Sequence, residues 1–396
     1  MLGPAANHYV LVENARNFHW RDGDFGQLIP LLGDGLLTID GEYHRRARRI
    51  MLPAFHHESI AAAIDTMVSE TQRALGSWRP GQSIDVYHWA RELAMRIAMR
   101  ALLGLDPDDR ESGARAAYHF ERALSFYGTG PFARMQRGPG SPWRRLHASR
   151  RVLDEIVYAE IRRRRAREEQ GNDILGLLLA ARDEDDSGFS DQEIRDQLMT
   201  LMFAGHDTST STISFLLYEL ARHPESLQRI WEEQDQVLAG RVPTAAEVAG
   251  GLPELDMALD ETLRLYPPAW IGPRRAVEAF EFDGQHVPAG AYVAYCSWAS
   301  HRLPDVFPDP EAFVPDRFSA GRKTALPKGA YVPFGAGSRT CIGMRFGQLE
   351  IKAVSTLLLQ RFSPELPSGH TMHVRQMPTL SPHGGLPMVL HERGSR

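Results

Sequence analysis

Residues 334–343 read Phe-Gly-Ala-Gly-Ser-Arg-Thr-Cys-Ile-Gly, and the fold and chemistry of the chain can be inferred outward from them. The stretch contains Cys341, one of only two cysteines in 396 residues, together with Arg339 and three glycines. An amphipathic helix is predicted immediately afterwards, from Met344 to about Phe362. The unpaired N–H groups at the start of a helix create a positive potential that stabilises a thiolate. Such a thiolate can be a nucleophile, a redox partner or a metal ligand, and the stretch alone leaves all three open.

The composition is typical of a soluble enzyme with a large core, with 43% hydrophobic and 24% charged residues. A formal net charge of −5 argues against a nucleic-acid-binding protein. Two cysteines, Cys296 and Cys341, cannot build a disulfide framework, which suits a reducing compartment, and neither belongs to a CxxC motif, which excludes a zinc ribbon. No apolar run approaches the roughly 20 residues of a membrane span, and no signal peptide is visible. We therefore expect a cytoplasmic protein.

Most of the chain has helical periodicity, and short strands with turns follow Pro268. A capping box at Ser190–Glu193 begins a long helix, which Pro224 stops. The sequence shows no internal repeat and no linker, so residues 1–396 are expected to form one unit, mainly α with a small β portion. The predicted elements include helices over residues 42–51, 143–169, 190–223 and 253–265, and strands over residues 9–12, 280–282 and 291–296.

The middle of the long helix is unusual, because residues 204–208 read Ala-Gly-His-Asp-Thr and are followed by more serines and threonines. A mid-helix glycine costs about 1 kcal/mol relative to alanine. Serine and threonine hydroxyls also compete for backbone carbonyls and can bend a helix. Apolar residues on both sides predict that this polar patch is buried. A close helix crossing and a functional site both explain it, and the patch alone does not decide between them.

Two pairs of residues at helical spacing are further candidates. His44 and Arg48 lie four residues apart, so they share a helix face and can bind an anion such as a carboxylate or phosphate. An ordinary surface cluster is the alternative. Glu261 and Arg264 lie three residues apart and can form an ion pair. Apolar neighbours indicate that this second pair is partly buried.

In this order and spacing, the motifs resemble those of the cytochrome P-450 family, the haem-thiolate monooxygenases. The loop containing Cys341 matches the family's haem-binding loop at every signature position. The resemblance implies the family's fold, a triangular helical body with a long central helix over haem. It also implies that the few dozen residues usually found at the N-terminus are missing here. The matching segments are residues 44–48, 204–208, 261–264, 315–318 and 334–343.

The resemblance implies a haem b cofactor, with Cys341 as the ligand of the iron. Thiolate ligation gives the iron electron density that favours O–O cleavage. The two haem propionates need cations, and Arg275 is an alternative to its neighbour Arg274 for one of them. By resemblance, the residues that bind haem are His44, Arg48, Ala204, Gly205, Arg274, Phe334, Gly335, Arg339, Cys341 and Gly343.

On the other side of the haem, the resemblance assigns catalysis to Thr208 and Asp207. Thr208 is expected to hydrogen-bond dioxygen or a water beside it, while Asp207 helps to relay protons. The weakened helix at Gly205 makes room for this chemistry. The role of His206 is left open, since the family usually has an apolar or small residue there. Glu261, Arg264 and Arg317 of residues 315–318 are expected to form a structural network.

The expected function is insertion of one atom of O2 into an apolar or amphiphilic small molecule, such as a lipid, terpenoid or polyketide. Electrons would come from NAD(P)H through a separate ferredoxin or flavodoxin, which would dock on a monomer at Arg45, Arg46, Arg345 and Lys352. Two alternatives are a non-catalytic haem-binding sensor and a peroxide-dependent haem-thiolate enzyme. The acid–threonine pair argues against the second. Candidate pocket segments are residues 25–36, 126–135, 202–203, 269–271 and 380–381.

Overall fold

Helices dominate the structure, as the sequence predicted. A computed structural model describes residues 1–168 and 171–393, so the predicted helix end at Glu169 lies outside the described residues. Within these ranges the α-helices are α1 (Pro4–His8), α2 (Ile29–Leu32), α3 (Gly41–Met51), α4 (His57–Leu75), α5 (Val86–Leu103), α6 (Gly113–Leu124), α7 (Pro131–Met135), α8 (Pro142–Arg167), α9 (Ile174–Ala180), α10 (Asp191–Arg222), α11 (Pro224–Leu238), α12 (Ala245–Gly250), α13 (Pro253–Leu265), α14 (Ser297–Ser300), α15 (Ala320–Ala325) and α16 (Met344–Arg361).

The long helix α10 is the axis of the helical body. It begins with the predicted capping box, in which the Ser190 hydroxyl accepts from the Glu193 N–H at 3.2 Å and the Glu193 carboxylate accepts from the Ser190 N–H at 2.8 Å. It ends at Arg222, before Pro224, which begins α11. Helices α5, α8, α13 and α16 all pack against α10. Its central residues are therefore enclosed by protein on most sides.

The β portion consists of small antiparallel sheets. Two have three strands, ordered β1-β3-β6 and β2-β10-β7, and two are hairpins, β4-β5 and β8-β9. Asp283 and Gly284 both have positive φ, which is the geometry of the tight turn that joins β4 to β5. The strands are β1 (Phe18–His19), β2 (Gln82–Asp85), β3 (Gly272–Ala276), β4 (Phe280–Phe282), β5 (Gln285–Val287), β6 (Tyr292–Tyr295), β7 (Phe362–Glu365), β8 (Val374–Arg375), β9 (Ser381–Pro382) and β10 (Pro387–Glu392).

The strand predicted over residues 9–12 is wrong. Tyr9–Glu13 forms a turn of π-helix that continues α1. Val10 and Leu11 are buried in a small apolar cluster with residues of β1, β3 and β6. Two adjacent apolar residues suit a buried strand and a buried helical turn equally well, so the pattern could not distinguish them.

One large apolar core joins the helices and continues under the sheet β2-β10-β7. Within residues 1–168 and 171–393, none of the helices is both long enough and apolar enough to cross a bilayer.

Candidate active site

The loop that carries Cys341 is closed by its own backbone. The Cys341 N–H donates to the Phe334 carbonyl at 2.9 Å. Gly335 and Gly337 have φ of +67° and +63°, a region that favours glycine. A Cβ added to Gly337 would lie 2.3 Å from the Leu11 carbonyl oxygen, so this glycine allows the loop to rest on the N-terminal turn.

The Cys341 thiol borders a space inside the protein. Its residue surface is exposed, yet desolvation by surrounding protein raises the pKa of the thiol. The Gly343 N–H and the positive charge of Arg48 act in the opposite direction. Helix α16 begins directly afterwards, at Met344. Burial favours the protonated thiol, whereas a metal cation displaces the proton from a cysteine that binds it.

Several cationic residues gather near this loop around a single carboxylate. Arg339 donates to Asp40 at 2.6 Å, and Arg274 is almost fully buried. The indole of Trp20 lies between them, 3.9 Å from the Arg274 guanidinium carbon and 5.0 Å from that of Arg339. Arg275, the alternative to Arg274, is exposed and donates to backbone carbonyl oxygens instead. Arg274 is therefore the member of this pair that belongs to the cluster.

The cluster of Arg48, Arg274 and Arg339 carries more positive charge than Asp40 can neutralise. Desolvation and then the charges of Arg339, Arg48 and Arg45 lower the pKa of His44 to about 3. Desolvation lowers the pKa of Arg339 to about 10, with Asp40 opposing the shift. Buried charges need partners. An excess of buried cations beside an accessible thiol fits a group that has anionic arms and a thiolate-binding metal, as haem does.

One face of α10 borders an internal space. Residues 203–205 and 208 are partly exposed, although their neighbours on both sides along the helix are buried. A Cβ added to Gly205 would meet nothing within 4 Å. The Thr208 hydroxyl donates to the Ala204 carbonyl at 2.6 Å, and the same i−4 bond is made by Thr210, at 2.7 Å to the His206 carbonyl. The hydroxyls thus satisfy themselves within an uninterrupted helix, beside open space.

His206 and Asp207 belong to a network that joins three helices. Arg91 of α5 donates to Asp207 at 2.6 Å and to Glu121 of α6 at 2.8 Å. His206 Nε2 donates to the Arg91 carbonyl at 3.1 Å and also lies 3.1 Å from a Glu121 oxygen. His206 Nδ1 lies 3.4 Å from Asp207, and no hydrogen-bond partner is described for this buried atom. His206 therefore points towards α5 and α6. It lies two residues before Thr208 on α10, so the two side chains leave the helix on different faces.

The network fixes the ionisation of its members. Burial alone would raise the pKa of Asp207, but contact with His206 and the charge of Arg91 outweigh it and lower the pKa to about 2. Burial likewise lowers the pKa of His206, and contacts with Asp207 and Glu121 outweigh this and raise it. Asp207 is thus held as an anion while His206 favours its charged form.

A second buried acid connects α10 to α16. The Ser209 hydroxyl donates to Glu350 at 2.6 Å. Burial raises the pKa of Glu350 to about 7, opposed by this hydrogen bond and by His206. Ser209, which follows Thr208 on α10, is therefore hydrogen-bonded directly to α16, the helix that follows Cys341.

The predicted Glu261–Arg264 pair is present, and it is completely buried rather than partly buried. Arg264 donates to Glu261 at 2.7 and 2.8 Å, and its remaining N–H groups reach the carbonyl oxygens of His301, Pro310 and Ala312 at 2.7–3.0 Å. Arg317 adds a 3.3 Å bond to Glu261. This network attaches α13 to the segment that leads into the Cys341 loop.

The predicted docking surface for a redox partner is wrong at Lys352, one of its four residues. Lys352 is 4% exposed and donates to Asp256 at 2.6 Å, so it cannot meet a partner protein. Arg46 binds Asp183 and Glu193, each at 3.0 Å. Arg45 and Arg345 are exposed, and Arg45 is also ion-paired, with Glu42.

Sequence reasoning missed the partners of the central patch. Arg91 and Glu121 lie on helices far away in the chain, and Glu350 occupies a helix face that looked ordinary. The odd residue His206 was the available signal, because a buried imidazole beside an acid needs partners.

The comparisons with known proteins agree with this geometry. The chain matches the family model described as Cytochrome P450 over residues 1–386. It is 36% identical to cyclooctat-9-en-7-ol 5-monooxygenase of Streptomyces melanosporofaciens, covering 99% of this chain and 87% of that protein. It is 30% identical to the putative cytochrome P450 139 of Mycobacterium tuberculosis, covering 99% of this chain and 92% of that protein.

Solved structures give the same result. Retinoic acid bound cyanobacterial CYP120A1 superposes with a TM-score of 0.89 at 29% identity, covering 98% of this chain and 88% of that one. The haem domain of cytochrome P450DA gives a TM-score of 0.90 at 29% identity, covering 99% and 87%. The thiol loop, the cation cluster and the α10 motif thus occur in the fold of a haem-thiolate protein. The chain belongs to the cytochrome P450 family and is a P450 monooxygenase with a haem-iron cofactor.

Proposed function

We propose that the protein is a haem b monooxygenase that inserts one oxygen atom of O2 into a terpenoid, most simply an alcohol with an extended apolar skeleton. The observation that carries this proposal is the similarity to cyclooctat-9-en-7-ol 5-monooxygenase along 99% of the chain. Cyclooctatin synthase of the same organism is 34% identical over 330 residues, covering 81% of this chain and 71% of that protein. The neighbouring structure with bound retinoic acid also supports an amphiphilic ligand.

In this proposal Cys341 holds the iron, and the Gly343 N–H stabilises the sulfur as a thiolate. When bound, haem iron supplies the activation of O2. Arg48, Arg274 and Arg339 supply the positive charge that the two propionates require, and His44 adds a hydrogen-bond donor. Phe334 shields the sulfur side, and Ala204 and Gly205 leave room on the other.

Thr208 and Asp207 act on protons in this proposal. The Thr208 hydroxyl, which donates to the Ala204 carbonyl at 2.6 Å, would donate instead to dioxygen or to a water beside it. Asp207 stays ionised, and its charge orients the proton-bearing groups of His206 and Arg91 on the side of α5 and α6. The polar α10 motif favours a monooxygenase over a non-catalytic haem sensor, which would need no such acid and hydroxyl.

The test combines binding with turnover. A panel of terpenoid alcohols and retinoids is titrated into the haem-loaded protein, and displacement of water from the iron is read as a low- to high-spin shift. We expect a shift with at least one terpenoid alcohol, and hydroxylation of it when electrons are supplied. Thr208→Ala should divert most of the electrons to peroxide and water, whereas the control Thr210→Ala should stay coupled. A substrate panel that gives neither shift nor product would contradict the terpenoid assignment.

The electrons are proposed to come from NAD(P)H through a ferredoxin or flavodoxin that docks on a monomer. Arg45 and Arg345 remain as its exposed basic contacts, and a groove of about 360 Å³ lies beside Arg345. Arg345→Glu should slow reduction by the acidic partner about tenfold at low salt. Arg110→Glu, an exposed control, should not. Equal rates for both variants would remove this docking site. The cytoplasmic location stays a prediction.

A further inference from the structure

Asp40 occupies the N-cap position of α3 but does not cap the helix. An aspartate at this position usually accepts a hydrogen bond from a backbone N–H of the first helical turn. The Asp40 side chain makes no such bond to the described first turn of α3. Its carboxylate instead accepts from the N–H of Trp20 at 3.0 Å, the N–H of Arg21 at 2.9 Å and the guanidinium of Arg339 at 2.6 Å. The carboxylate is thus directed away from its own helix and towards the cation cluster.

The cation cluster leaves one positive charge for Asp40 to balance. Arg48, Arg274 and Arg339 carry three positive charges, whereas His44 is neutral because burial and the neighbouring arginines lower its pKa to about 3. The two propionates of a bound haem bring two negative charges, so one positive charge remains. Among the residues that the structure describes, Asp40 is the one carboxylate that forms an ion pair with any of these three arginines. With Asp40 included, the charges of the site sum to zero.

The carboxylate of Asp40 acts on two of the arginines. The Asp40 and Arg339 side chains are 12% and 13% exposed, so water screens their attraction only in part. Burial lowers the pKa of Arg274, and Tyr295 and then the charge of Asp40 oppose this shift. The indole of Trp20, whose N–H Asp40 accepts, lies 3.9 Å from the Arg274 guanidinium carbon and 5.0 Å from that of Arg339. Asp40 therefore holds Arg339 directly and orders the ring that packs against both arginines.

We propose that Asp40 is a positioning residue that keeps the reduction potential of the haem iron low. One electron converts Fe³⁺ into Fe²⁺, and a negative charge nearby opposes the addition of that electron. A site with three arginines and only two propionates favours the reduced form, and Asp40 cancels this excess of positive charge. The inference rests on the haem-iron cofactor of the family and not on the proposed terpenoid substrate.

The experiment measures the reduction potential of the haem-loaded protein without substrate. Dithionite supplies the electrons, one for each Fe³⁺, and redox dyes report the potential of the solution. In Asp40→Asn we expect the ratio of ferrous to ferric protein at one fixed potential to rise roughly three- to tenfold. For a one-electron couple, a tenfold change corresponds to a shift of about 59 mV towards positive values. An unchanged potential, or a shift towards negative values, overturns the proposal.

Three further variants test whether charge is the cause. Asp40→Glu restores the charge and should keep the ratio within about twofold of that of the parent protein. Arg339→Gln removes a positive charge from the same cluster and should shift the potential in the opposite direction. The matched control is Asp34→Asn, which removes a carboxylate of the same loop that is 45% exposed and paired with Arg21. If Asp34→Asn shifts the potential as far as Asp40→Asn does, the effect belongs to the general surface charge, and the proposal fails.

A spectroscopic control separates the charge of Asp40 from displacement of the Cys341 loop. Loss of the thiolate ligand would by itself change the potential, because thiolate ligation gives the iron electron density. The absorption spectrum of the ferrous carbon monoxide complex reports whether the thiolate still binds the iron, and Asp40→Asn should leave this spectrum unchanged. A changed spectrum would mean that the variant acts by displacing Arg339 and its loop, and the charge proposal fails. Because no substrate is present, each of these results leaves the proposed terpenoid function untouched.

Discussion

Two buried charge networks of this protein differ in the kind of partner that holds each charge. Around Arg264, two side-chain bonds to Glu261 and three bonds to backbone carbonyls leave both residues at 0% exposure. Around Asp207, the partners are the side chains of Arg91 on α5 and of His206 on α10 itself, and both of these contact Glu121 on α6. A buried imidazole nitrogen of His206 has no hydrogen-bond partner described. Backbone carbonyls satisfy much of the first network, whereas the second depends on side chains, one of which is a titratable histidine.

The difference separates a structural role from a functional one. A charge held by fixed carbonyls has one arrangement, so the Glu261 network can hold the segment that leads to Cys341 in a single position. A charge held by a titratable histidine, and by a guanidinium that is shared with Glu121, depends on the protonation of its partners. The charge of the Asp207 network can therefore change when His206 titrates.

The largest expected effect is the loss of the fixed network. Glu261→Gln leaves the Arg264 guanidinium buried without its counter-charge, which costs about 3–5 kcal/mol of the free energy of unfolding. Urea unfolding of the haem-loaded protein measures this. The control is Glu42→Gln, which removes an exposed partner of Arg45 and should have no measurable effect. Similar midpoints for both variants would show that the buried pair is no more important than a surface pair.

A smaller effect is expected from Arg91→Met, because the second network can adjust. Asp207 and Glu121 lose a guanidinium, but a protonated His206 replaces part of its charge. We expect a loss of about 2 kcal/mol at pH 8 and less at pH 6, where His206 holds its proton more fully. A pH-independent loss as large as that of Glu261→Gln would mean that both networks are equally fixed. Arg162→Met, at an exposed site, is the control.

The smallest effect is a pH dependence that His206→Gln should remove. The folded pKa of His206 is raised, so its stabilisation is fully present below the unfolded value near 6.5 and is lost as the pH rises through the folded value. The pKa of Asp207 is lowered to about 2, so its contribution is present above the unfolded value near 3.8.

Between these limits both charges are formed. We therefore expect the parent protein to exceed His206→Gln by about 1 kcal/mol near pH 6, with the difference shrinking towards pH 9. Parallel unfolding curves for the two proteins over this range would assign His206 a packing role only.

Much of the fold could be predicted because its signals are local. Ser190 and Glu193 define the start of α10 through their capping hydrogen bonds, and Pro224 defines its end because proline has no N–H. All three signals are visible directly in the sequence. Asp283 and Gly284 likewise identify a hairpin turn. The turn at Tyr9–Glu13 was predicted incorrectly because four apolar or aromatic residues in a row carry no period that separates strand from helix.

The site was predictable where spacing carries the chemistry, and not where contacts between distant segments do. The loop around Cys341 and the pair Glu261–Arg264 are visible as motifs. Arg91 is not, since nothing in its local sequence connects it to Asp207, 116 residues later. Lys352 was wrongly placed on the surface, because a charged residue on an amphipathic helix was assumed to face solvent when its partner Asp256 holds it inside.

Gly337 packs against the Leu11 carbonyl, and this contact has a consequence for the order in which parts of the protein fold during synthesis. A ribosome completes the turn at Tyr9–Glu13 long before it reaches the loop that rests on it. A contact between distant segments needs both segments to be present, and pairing them costs loop-closure entropy. The loop around Cys341 can therefore adopt its final conformation only when the chain is nearly complete. We expect the cofactor to bind at one of the last steps of synthesis and folding.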